Sequence, residues 1–254
     1  MMEESLARVV QALRNSQSIL FITGAGLSAD SGLPTYRGIG GLYNRNETEE
    51  RIPIEEALSG EMFCLRPEIT WKYILQIEQS CRRAVFNAGH RVIAAMENSF
   101  PRVWTLTQNI DGFHEKAGTR NLIDIHGDIR CLGCTRCPYR TRVENYEGLT
   151  IPPLCPRCGG MVRPEVVLFG EMLPAEKIRT LYLELRKGFD LVFSIGTTSV
   201  FPYIAEPVLD ARRRGGITVE INPGPTEVTP FVDIKLASGA AETLQVIWEA
   251  YQSN

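Results

Sequence analysis

Residues 18–23 (SILFIT) followed by residues 24–29 (GAGLSA) decide the fold of this 254-residue chain. The first stretch is short and apolar, which predicts a buried strand, and the second fits the G-x-G-x-x-G/A pattern of a dinucleotide-binding turn. In that pattern, glycines let backbone amides approach a pyrophosphate, and the N-terminus of a following helix offers partial positive charge. Alone, the pattern is a weak signal, because many glycine-rich strand ends are plain turns.

Strand and helix alternate along the rest of the chain. Short β-rich stretches occur at 18–23, 102–107, 121–125, 190–195, 217–221 and 232–236. Helical periodicity occurs at 4–15, 67–82, 88–98, 174–187, 203–214 and 240–252. Because parallel strands need crossover helices, this alternation predicts an α/β fold with a doubly wound parallel sheet of six strands.

Two stretches interrupt the alternation and are predicted to be insertions. The first, roughly 36–86, opens with a polar, glycine-rich segment that predicts a mobile loop. The second, roughly 128–165, contains five of the seven cysteines and too few apolar residues to fold without a cross-link. The remaining residues, 1–35, 87–127 and 166–254, form the predicted large domain.

The cysteine spacing predicts a structural zinc site. Cys134-x-x-Cys137 and Cys155-x-x-Cys158 are separated by 17 residues, the spacing of a four-thiolate zinc ribbon. Four protein ligands leave no position for water, so the metal is expected to stabilise the fold and not to take part in catalysis. Cys131 creates a competing Cys-x-x-Cys register with Cys134 and is interpreted as a spare thiol.

Polar residues follow the predicted strands where a ligand would bind. Gln108, Asn109 and Asp111 come directly after the second strand, and such side chains are costly to bury unless they hold a ligand or each other. His126 follows the third strand. It is predicted to stand at the rim of the cleft, where an imidazole can move a proton near neutral pH.

The remaining histidines and acids narrow the possible chemistry. His90 and His114 lie in helical patterns and are interpreted as structural or surface residues. About 20 residues after the glycine turn, where a dehydrogenase has an acid that binds the adenosine ribose, there is only polar loop. A hydride-transfer enzyme is therefore disfavoured, and ribose contacts are expected where later strands end, at 196–198 and 220–222.

Composition excludes several classes of function. With 27 basic and 30 acidic residues the net charge is −3, which provides no cationic field for a nucleic acid. The apolar runs are strand-sized, far short of the roughly 20 residues that cross a bilayer. Residues 1–16 predict an amphipathic helix and not a signal peptide, so the cysteines are expected in a reducing cytoplasm.

Together these motifs resemble those of the sirtuin family, from about residue 20 to about residue 242. The resemblance rests on the four zinc-spaced cysteines and on ordered motifs at 24–28, 30–38, 107–111, 126–127 and 169–171. It implies a bacterial-type, NAD-dependent protein lysine deacylase. The large domain would be of the Rossmann type, and the small domain would combine a zinc ribbon, 128–165, with a helical module, 36–86.

The resemblance also implies a reaction. The acyl oxygen of the substrate lysine attacks the ribose carbon that carries nicotinamide, nicotinamide leaves, and the acyl group passes to ADP-ribose. His126 acts as general base on the ribose hydroxyls, and Asn109 orders the ribose and a water. Two alternatives stay open: a protein mono-ADP-ribosyltransferase, which cleaves the same bond, and a non-enzymatic NAD sensor whose ribbon binds a partner.

Binding residues follow from the same resemblance. The implied NAD contacts are Gly24, Ala25, Gly26, Ser28, Asp30, Thr35, Tyr36, Arg37, Gln108, Asn109, Ile110, Asp111, Gly196, Thr197, Thr198, Asn222, Pro223, Gly224 and Ala241. The implied substrate contacts, which would pair with the peptide backbone as an added strand, are Val167, Leu168, Phe169, Gly170 and Glu171. Two departures from the family pattern are Tyr36, where phenylalanine is usual, and Pro202, which comes one residue early.

The acyl group is predicted to be neutral. In the sirtuin branch that removes succinyl and malonyl groups, a Tyr-x-x-Arg pair binds the acyl carboxylate. Counting back without a gap from Asn87 puts Ile74 and Ile77 at those places, and a one-residue slip gives Tyr73 and Gln76. Neither register provides an arginine, and an unpaired carboxylate is expensive to bury, so acetyl or a longer aliphatic chain is expected.

Overall fold

The computed structural model describes residues 2–35 and 48–253, so that Tyr36, Arg37 and most of the predicted mobile loop lie outside the described residues. The strands are β1 (Ser18–Thr23), β2 (Arg102–Thr107), β3 (Leu122–Asp124), β4 (Gly127–Cys134), β5 (Arg140–Arg142), β6 (Val162–Val166), β7 (Leu191–Ile195), β8 (Ile217–Ile221) and β9 (Ile234–Leu236). The helices are α1 (Met2–Arg14), α2 (Ala25–Ala29), α3 (Ile54–Ala57), α4 (Gly60–Leu65), α5 (Pro67–Arg83), α6 (Ala88–Met96), α7 (Phe113–Lys116), α8 (Ala175–Arg186), α9 (Pro202–Arg213) and α10 (Ala240–Gln252). Within this part of the chain, no helix has both the length and the apolar character needed to cross a membrane.

Six strands form one parallel sheet in the order β3-β2-β1-β7-β8-β9, which confirms the predicted sheet. The chain reverses its direction of winding between β1 and β7. This is the strand order of dinucleotide-binding domains, and ligands bind such sheets outside the carboxyl ends of the strands at the reversal. β3 and β9 are shorter than predicted, since only three residues of each pair with a neighbour.

Helices cover both faces of this sheet because successive residues of a buried strand point to opposite faces. On one face Phe21 stacks on Phe193, with ring centroids 5.0 Å apart, in a core completed by α1, α6 and α10. On the other face Leu20 and Val192 pack against residues of α8 and α9. Every residue of β1 is buried, which explains its nearly continuous apolar sequence.

The two predicted insertions pack together as one lobe. The ribbon contributes a three-stranded antiparallel sheet in the order β5-β4-β6. Trp71 of α5 lies 5.8 Å from Tyr146, measured between ring centroids, and Ile129 of β4 and Val162 of β6 belong to the same core. The sequence predicts a helical module and a ribbon as separate insertions, whereas in the structure a common apolar core joins them.

Candidate active site

The glycine turn after β1 interlocks with the turn after β7. Gly26 donates its backbone N–H to the carbonyl oxygen of Gly196 at 2.8 Å. A Cβ atom on Gly26 would lie 2.6 Å from Cα of Gly196. A Cβ atom on Gly24 would lie 2.7 Å from the carbonyl oxygen of Gly196. Gly196 has φ +58°, a conformation that favours glycine. The glycines therefore permit contact between two strand ends, a role that the sequence pattern does not reveal.

A group of hydrogen-bonded polar side chains lies at this reversal of the sheet. Asn109 donates from its side chain to the carbonyl oxygen of Gly24 at 3.0 Å and to the Ser28 hydroxyl at 3.1 Å. Ser28 donates to the Asp111 carboxylate at 2.7 Å, and Asp111 also accepts the backbone N–H of Phe113 at 2.9 Å. Both Asn109 and Asp111 are buried, and burial raises the pKa of Asp111. Three predicted NAD contacts are thus held in one fixed arrangement.

Other predicted contacts surround this group. The Gln108 side chain donates to the Thr197 hydroxyl at 2.7 Å, which joins the ends of β2 and β7. Asp30 accepts the backbone N–H of Ala241 at 2.8 Å, which brings α2 next to the start of α10. The Thr35 hydroxyl oxygen is buried, and no residue that the structure describes offers it a hydrogen bond. Because an unpartnered buried hydroxyl is costly, Thr35 is suited to contact a ligand.

A cavity of about 350 Å³ opens beside the Asn109–Ser28–Asp111 group, between the sheet and the lobe. The described residues that line it are Ala25, Ser28, Leu33, Pro34, Thr48, Glu49, Ile54, Leu58, Tyr73, Gln76, Ile77, Ser80, Cys81, Asn109, Ile110 and Asp111. Seven of these side chains are polar, and three of them, Ser28, Asn109 and Asp111, lie where β1 and β2 end. The rest of the lining is mainly apolar, as in sites for small molecules. The cavity can therefore hold part of a cofactor or of a substrate side chain.

The lining of the cavity distinguishes the two alignments of α5 with the Tyr-x-x-Arg pair. Tyr73 and Gln76 of α5 line the cavity together with Ile77, whereas Ile74 is 2% exposed and belongs to the core of the lobe. The slipped register therefore places both of its residues at the cavity, whereas the gap-free register places only Ile77 there. Residues three apart in a helix share a face, so the slip by one residue brings Tyr73 and Gln76 to the cavity together.

The described charged groups beside Tyr73 carry a net negative charge. The Tyr73 hydroxyl donates to the Glu50 carboxylate. Lys72 contacts Glu50 at 2.6 Å and Glu49 at 2.7 Å, so one cation serves two carboxylates. Hydrogen bonds from Lys72 and Tyr73 lower the pKa of Glu50 to about 2, which keeps it ionised. No arginine is found among the described residues that line the cavity.

His126 stands outside the cavity lining, between Gln108 and Tyr203. Its Nδ1 lies 3.0 Å from the carbonyl oxygen of Gln108, and its Nε2 lies 2.7 Å from the Tyr203 hydroxyl. A carbonyl oxygen can only accept, so Nδ1 carries the proton and Nε2 accepts from Tyr203. Burial lowers the pKa of His126, which keeps the imidazole neutral at pH 7. Sequence reasoning missed Tyr203, and its only local signal was the early Pro202.

The other two histidines are buried, so the surface alternative is wrong for both. His90 forms a capping box with Asn87 at the start of α6, and His114 Nε2 lies 2.9 Å from the Thr23 hydroxyl. Burial lowers the pKa of His90 to about 4 and holds that of His114 well below its usual value. Both imidazoles are therefore neutral structural groups.

The turn after β7 carries further predicted contacts. Asn222 donates from its side chain to the carbonyl oxygen of Thr197 at 3.1 Å and accepts the backbone N–H of Gly224 at 3.3 Å. Thr198 is exposed beside it. Ser199 is buried and adopts φ +56°, so the shortened run before α9 requires a left-handed residue there. Residues 222–224 thus face the turn that was expected to bind the adenosine half.

Glu220 does not fulfil the expectation of a ribose contact. It lies at the end of β8 but is fully buried. Its carboxylate contacts Lys235 at 3.0 Å and accepts the hydroxyls of Thr226 at 2.6 Å and Thr229 at 2.7 Å. These partners satisfy the carboxylate inside the fold, so Glu220 is a structural residue.

Backbone hydrogen bonds hold the predicted substrate segment, residues 167–171, at Val167 and at Phe169. Val167 donates to the carbonyl oxygen of His126 at 2.9 Å. Phe169 donates to the carbonyl oxygen of Leu58 and accepts the backbone N–H of Gly60, both at 3.0 Å. The segment therefore links the rim histidine to the helical module before any peptide is added.

Glu171 orders the same segment through its carboxylate. Arg163 of β6 binds the two carboxylate oxygens at 2.5 and 3.0 Å, and the backbone N–H of Leu168 donates to one of them at 2.9 Å. The Arg163 guanidinium also lies 4.8 Å from the ring centroid of Phe63. A bidentate pair of this kind fixes orientation as well as distance, so Glu171 ties the ribbon to the segment.

The four predicted metal ligands meet at one point. The sulfur atoms of Cys134, Cys137, Cys155 and Cys158 all lie within 4.8 Å of one another. Zinc–sulfur bonds of about 2.3 Å in a tetrahedron place the sulfurs about 3.8 Å apart, so the donor set fits Zn²⁺. Cys131 lies outside this cluster, and burial raises the pKa of its thiol.

A parallel sheet that reverses beside a glycine turn, together with a cysteine-bearing lobe above the cavity, defines a dinucleotide-binding α/β protein. Comparison with known proteins identifies the family within this class. The sequence profile of the Sir2 family matches residues 24–202, and the chain belongs to that family.

Relatives and solved structures agree with this assignment. The NAD-dependent protein deacylase 2 of Pseudomonas aeruginosa is 52% identical over 251 residues, covering 97% of this chain and 98% of the relative. The structure of a Sir2 homologue–NAD complex matches with a TM-score of 0.88 at 34% identity, covering 97% of this chain and 94% of the other. A Sir2–p53 peptide–NAD⁺ structure matches with a TM-score of 0.84 at 27% identity, covering 98% and 99%.

Proposed function

We propose that the protein is an NAD-dependent protein lysine deacylase, which releases nicotinamide and transfers the acyl group to ADP-ribose. The observation that supports this proposal most directly is the buried Asn109–Ser28–Asp111 group at the reversal of the sheet, beside the cavity. It presents fixed polar groups where such sheets bind nucleotides. The relatives are named as deacylases, which favours deacylation over ADP-ribosyl transfer.

NAD is a substrate in this proposal, because it is consumed. The interlocked turns at 24–26 and 196–198 would hold its pyrophosphate and adenosine half, with Asn222 beside them. Asn109 and Asp111 would orient the nicotinamide side. Their hydrogen bonds are already made within the protein, so binding requires little reorganisation there.

His126 is the general base of the proposed reaction. Its Nδ1 proton is held by a carbonyl oxygen, and its neutral Nε2 can accept a proton. Burial lowers its pKa, so the basic form predominates at neutral pH. A neutral imidazole held within hydrogen-bond reach of a hydroxyl can take up its proton.

Zinc is proposed as a structural metal held by Cys134, Cys137, Cys155 and Cys158. Bound there, it would cross-link the ribbon, whose core alone is small. Zinc binding needs cysteines that are not oxidised to disulfides, so a reducing compartment, the cytoplasm, is the proposed location.

The proposed substrates are acyl-lysine proteins or peptides, without nucleic acid or membrane partners. A neutral acyl group is favoured by the cavity wall, where Lys72 faces two carboxylates and the Tyr73 hydroxyl is engaged by Glu50. An acyl carboxylate would meet negative charge with no described cation free to pair with it, which is a costly arrangement. Gln76 offers only a neutral amide.

Nicotinamide release with one peptide carrying acetyl, succinyl or myristoyl lysine tests this proposal. Acetyl or myristoyl turnover should exceed succinyl turnover by at least tenfold. The His126→Ala variant should lose deacylation while still binding NAD. Succinyl turnover as fast as acetyl turnover would exclude the neutral-acyl assignment, and unchanged turnover by His126→Ala would remove His126 from the mechanism.

A further inference from the structure

The proton-accepting nitrogen of His126 already has a partner. Neutral imidazole has one acceptor lone pair, and here it lies on Nε2 because Nδ1 donates to Gln108. The Tyr203 hydroxyl, 2.7 Å away, donates to that lone pair. A sugar hydroxyl that must deliver its proton to His126 can therefore either displace Tyr203 or pass the proton through it.

Displacing Tyr203 would disrupt several contacts. Its ring stacks on Phe201, with centroids 5.5 Å apart and planes 15° from parallel. Both rings also contact His126 edge-on, with centroid distances of 6.0 Å for Tyr203 and 6.2 Å for Phe201. Tyr203 belongs to the first turn of α9, whose start is fixed by Pro202. Aromatic contacts of this geometry stabilise the position of the ring, so its retention is favoured.

The hydroxyl of Tyr203 suits transfer of a proton. Burial raises the pKa of Tyr203 to about 12, so the hydroxyl keeps its proton at neutral pH and can donate it. Its oxygen retains a lone pair that can accept from a second hydroxyl. The ring is half-buried, and Tyr203 comes four residues after Ser199, the end of the turn at 196–199 that faces Asn222.

We propose that Tyr203 is a catalytic residue that relays the proton from a ribose hydroxyl to His126, an inference that rests on the proposed function. As the ribose oxygen bonds to the acyl carbon, the π bond between that carbon and the lysine nitrogen breaks and its electron pair moves onto the nitrogen. The ribose proton passes to the Tyr203 oxygen, and the Tyr203 proton passes to Nε2 of His126. Tyr203 ends the step as a neutral phenol, and His126 ends it as an imidazolium. No other reactant is needed.

The Tyr203→Phe variant tests the relay because it removes one oxygen and keeps the ring stack. Two reactions should be compared: exchange of labelled nicotinamide into NAD in the presence of acyl peptide, which needs only bond cleavage, and net formation of deacylated peptide. We expect exchange to stay within about twofold of the parent protein. Net deacylation should fall at least tenfold, as for loss of a proton-transfer group, with KM for NAD little changed.

Tyr182→Phe is the matched control, because Tyr182 lies on α8 with its side chain exposed. It should leave both reactions unchanged. The ¹⁵N resonance of His126 Nε2 in the free protein gives a readout without activity, and it should move in Tyr203→Phe but not in Tyr182→Phe.

Other outcomes contradict the relay. Equal or faster deacylation by Tyr203→Phe would show that the phenol only covers the base. Equal loss of exchange and deacylation, with a higher KM for NAD, would assign Tyr203 a structural role. Absence of nicotinamide release by the parent protein with every acyl peptide would instead refute the proposed function itself.

Discussion

The sheet and the lobe are stabilised in different ways. The sheet lies between two apolar cores, and its central strand β1 is buried along its whole length. The lobe has one core, shared between α5 and the ribbon, and four cysteines that meet at a single point. The candidate site lies between them. The sheet positions its polar groups, and the lobe forms one wall of its cavity.

Loss of a metal ligand is expected to produce the largest difference in stability between the lobe and the sheet. Cys155→Ser should abolish zinc binding and unfold the ribbon, since structural zinc contributes on the order of 10 kcal/mol to small metal domains. The sheet should persist. Zinc content and hydrogen exchange measured by mass spectrometry would show protection lost in β4–β6 and kept in β1 and β7.

Cys131→Ser is the control for this experiment, because Cys131 lies outside the cluster and should not be needed for zinc. Retention of a full equivalent of zinc by Cys155→Ser would contradict the four-cysteine assignment. Equal loss of protection in both regions would contradict the independence of the sheet.

A backbone change at the reversal should damage the sheet region instead. A Cβ on Gly196 would lie 2.5 Å from the backbone nitrogen of Leu27, at φ +58°. Gly196→Ala should therefore lower the free energy of unfolding by about 3 kcal/mol through strain and a steric clash. Urea denaturation measures this loss.

Gly188→Ala provides the comparison for strain without a clash. Gly188 has φ +74°, but nothing lies within 4 Å of its added Cβ. It should cost about 1 kcal/mol, the typical penalty for a left-handed residue with a side chain. Equal losses at both positions would show that close contact between the two turns does not matter.

Acid should weaken the sheet region through a buried histidine. The folded-state pKa of His90 is about 4, below the usual value of about 6.5. The unfolded chain therefore binds the proton first, and stability from neutral His90 is complete above pH 6.5 and is lost progressively as pH falls towards 4. Between pH 7 and pH 5 this loss is about 2 kcal/mol.

The His90→Gln variant isolates that contribution, because glutamine at the third position of a helix can keep the capping box. Its unfolding free energy should fall less steeply between pH 7 and pH 5 than that of the parent protein. Parallel pH dependences for the two proteins would rule out a depressed pKa at His90.

The smallest effect is expected at the ion pair that connects Arg163 of the ribbon with Glu171 of the substrate segment. Glu171→Gln weakens the bidentate contact with Arg163, and such charged hydrogen bonds contribute about 1.5–3 kcal/mol. KM for the peptide should rise about tenfold with kcat nearly unchanged. Glu206→Gln, which alters an exposed pair with Arg213, should change neither constant. A fall in kcat at constant KM would assign Glu171 to the chemistry.

Local patterns allowed much of the fold to be predicted. β1, β2, β8 and α10 begin and end at the predicted residues, because their apolar periodicity is continuous. The meeting of the four cysteines was likewise predictable, since each pair is fixed by its own short turn. These features are visible as patterns within short stretches of the sequence.

Contacts between distant segments could not be predicted in the same way. The His126–Tyr203 pair spans 77 residues, and nothing near either residue indicates the other. The choice between Ile74 and Tyr73 depends on how α5 is rotated against the sheet, which counting cannot reveal. A glutamate at a strand end, such as Glu220, could contact a ligand or pair with a residue inside the protein. The position of Lys235 shows that Glu220 does the second.

A crystal structure with NAD and an acyl-lysine peptide bound to the His126→Ala variant tests the central claim most directly. The nicotinamide-side ribose should lie between the turn at 24–26 and the Tyr203 hydroxyl, with a sugar hydroxyl about 2.6–3.2 Å from that oxygen. The acyl chain should enter the cavity beside Tyr73 and Gln76. A ribose bound away from Tyr203, or an acyl chain outside that cavity, would contradict the assignment.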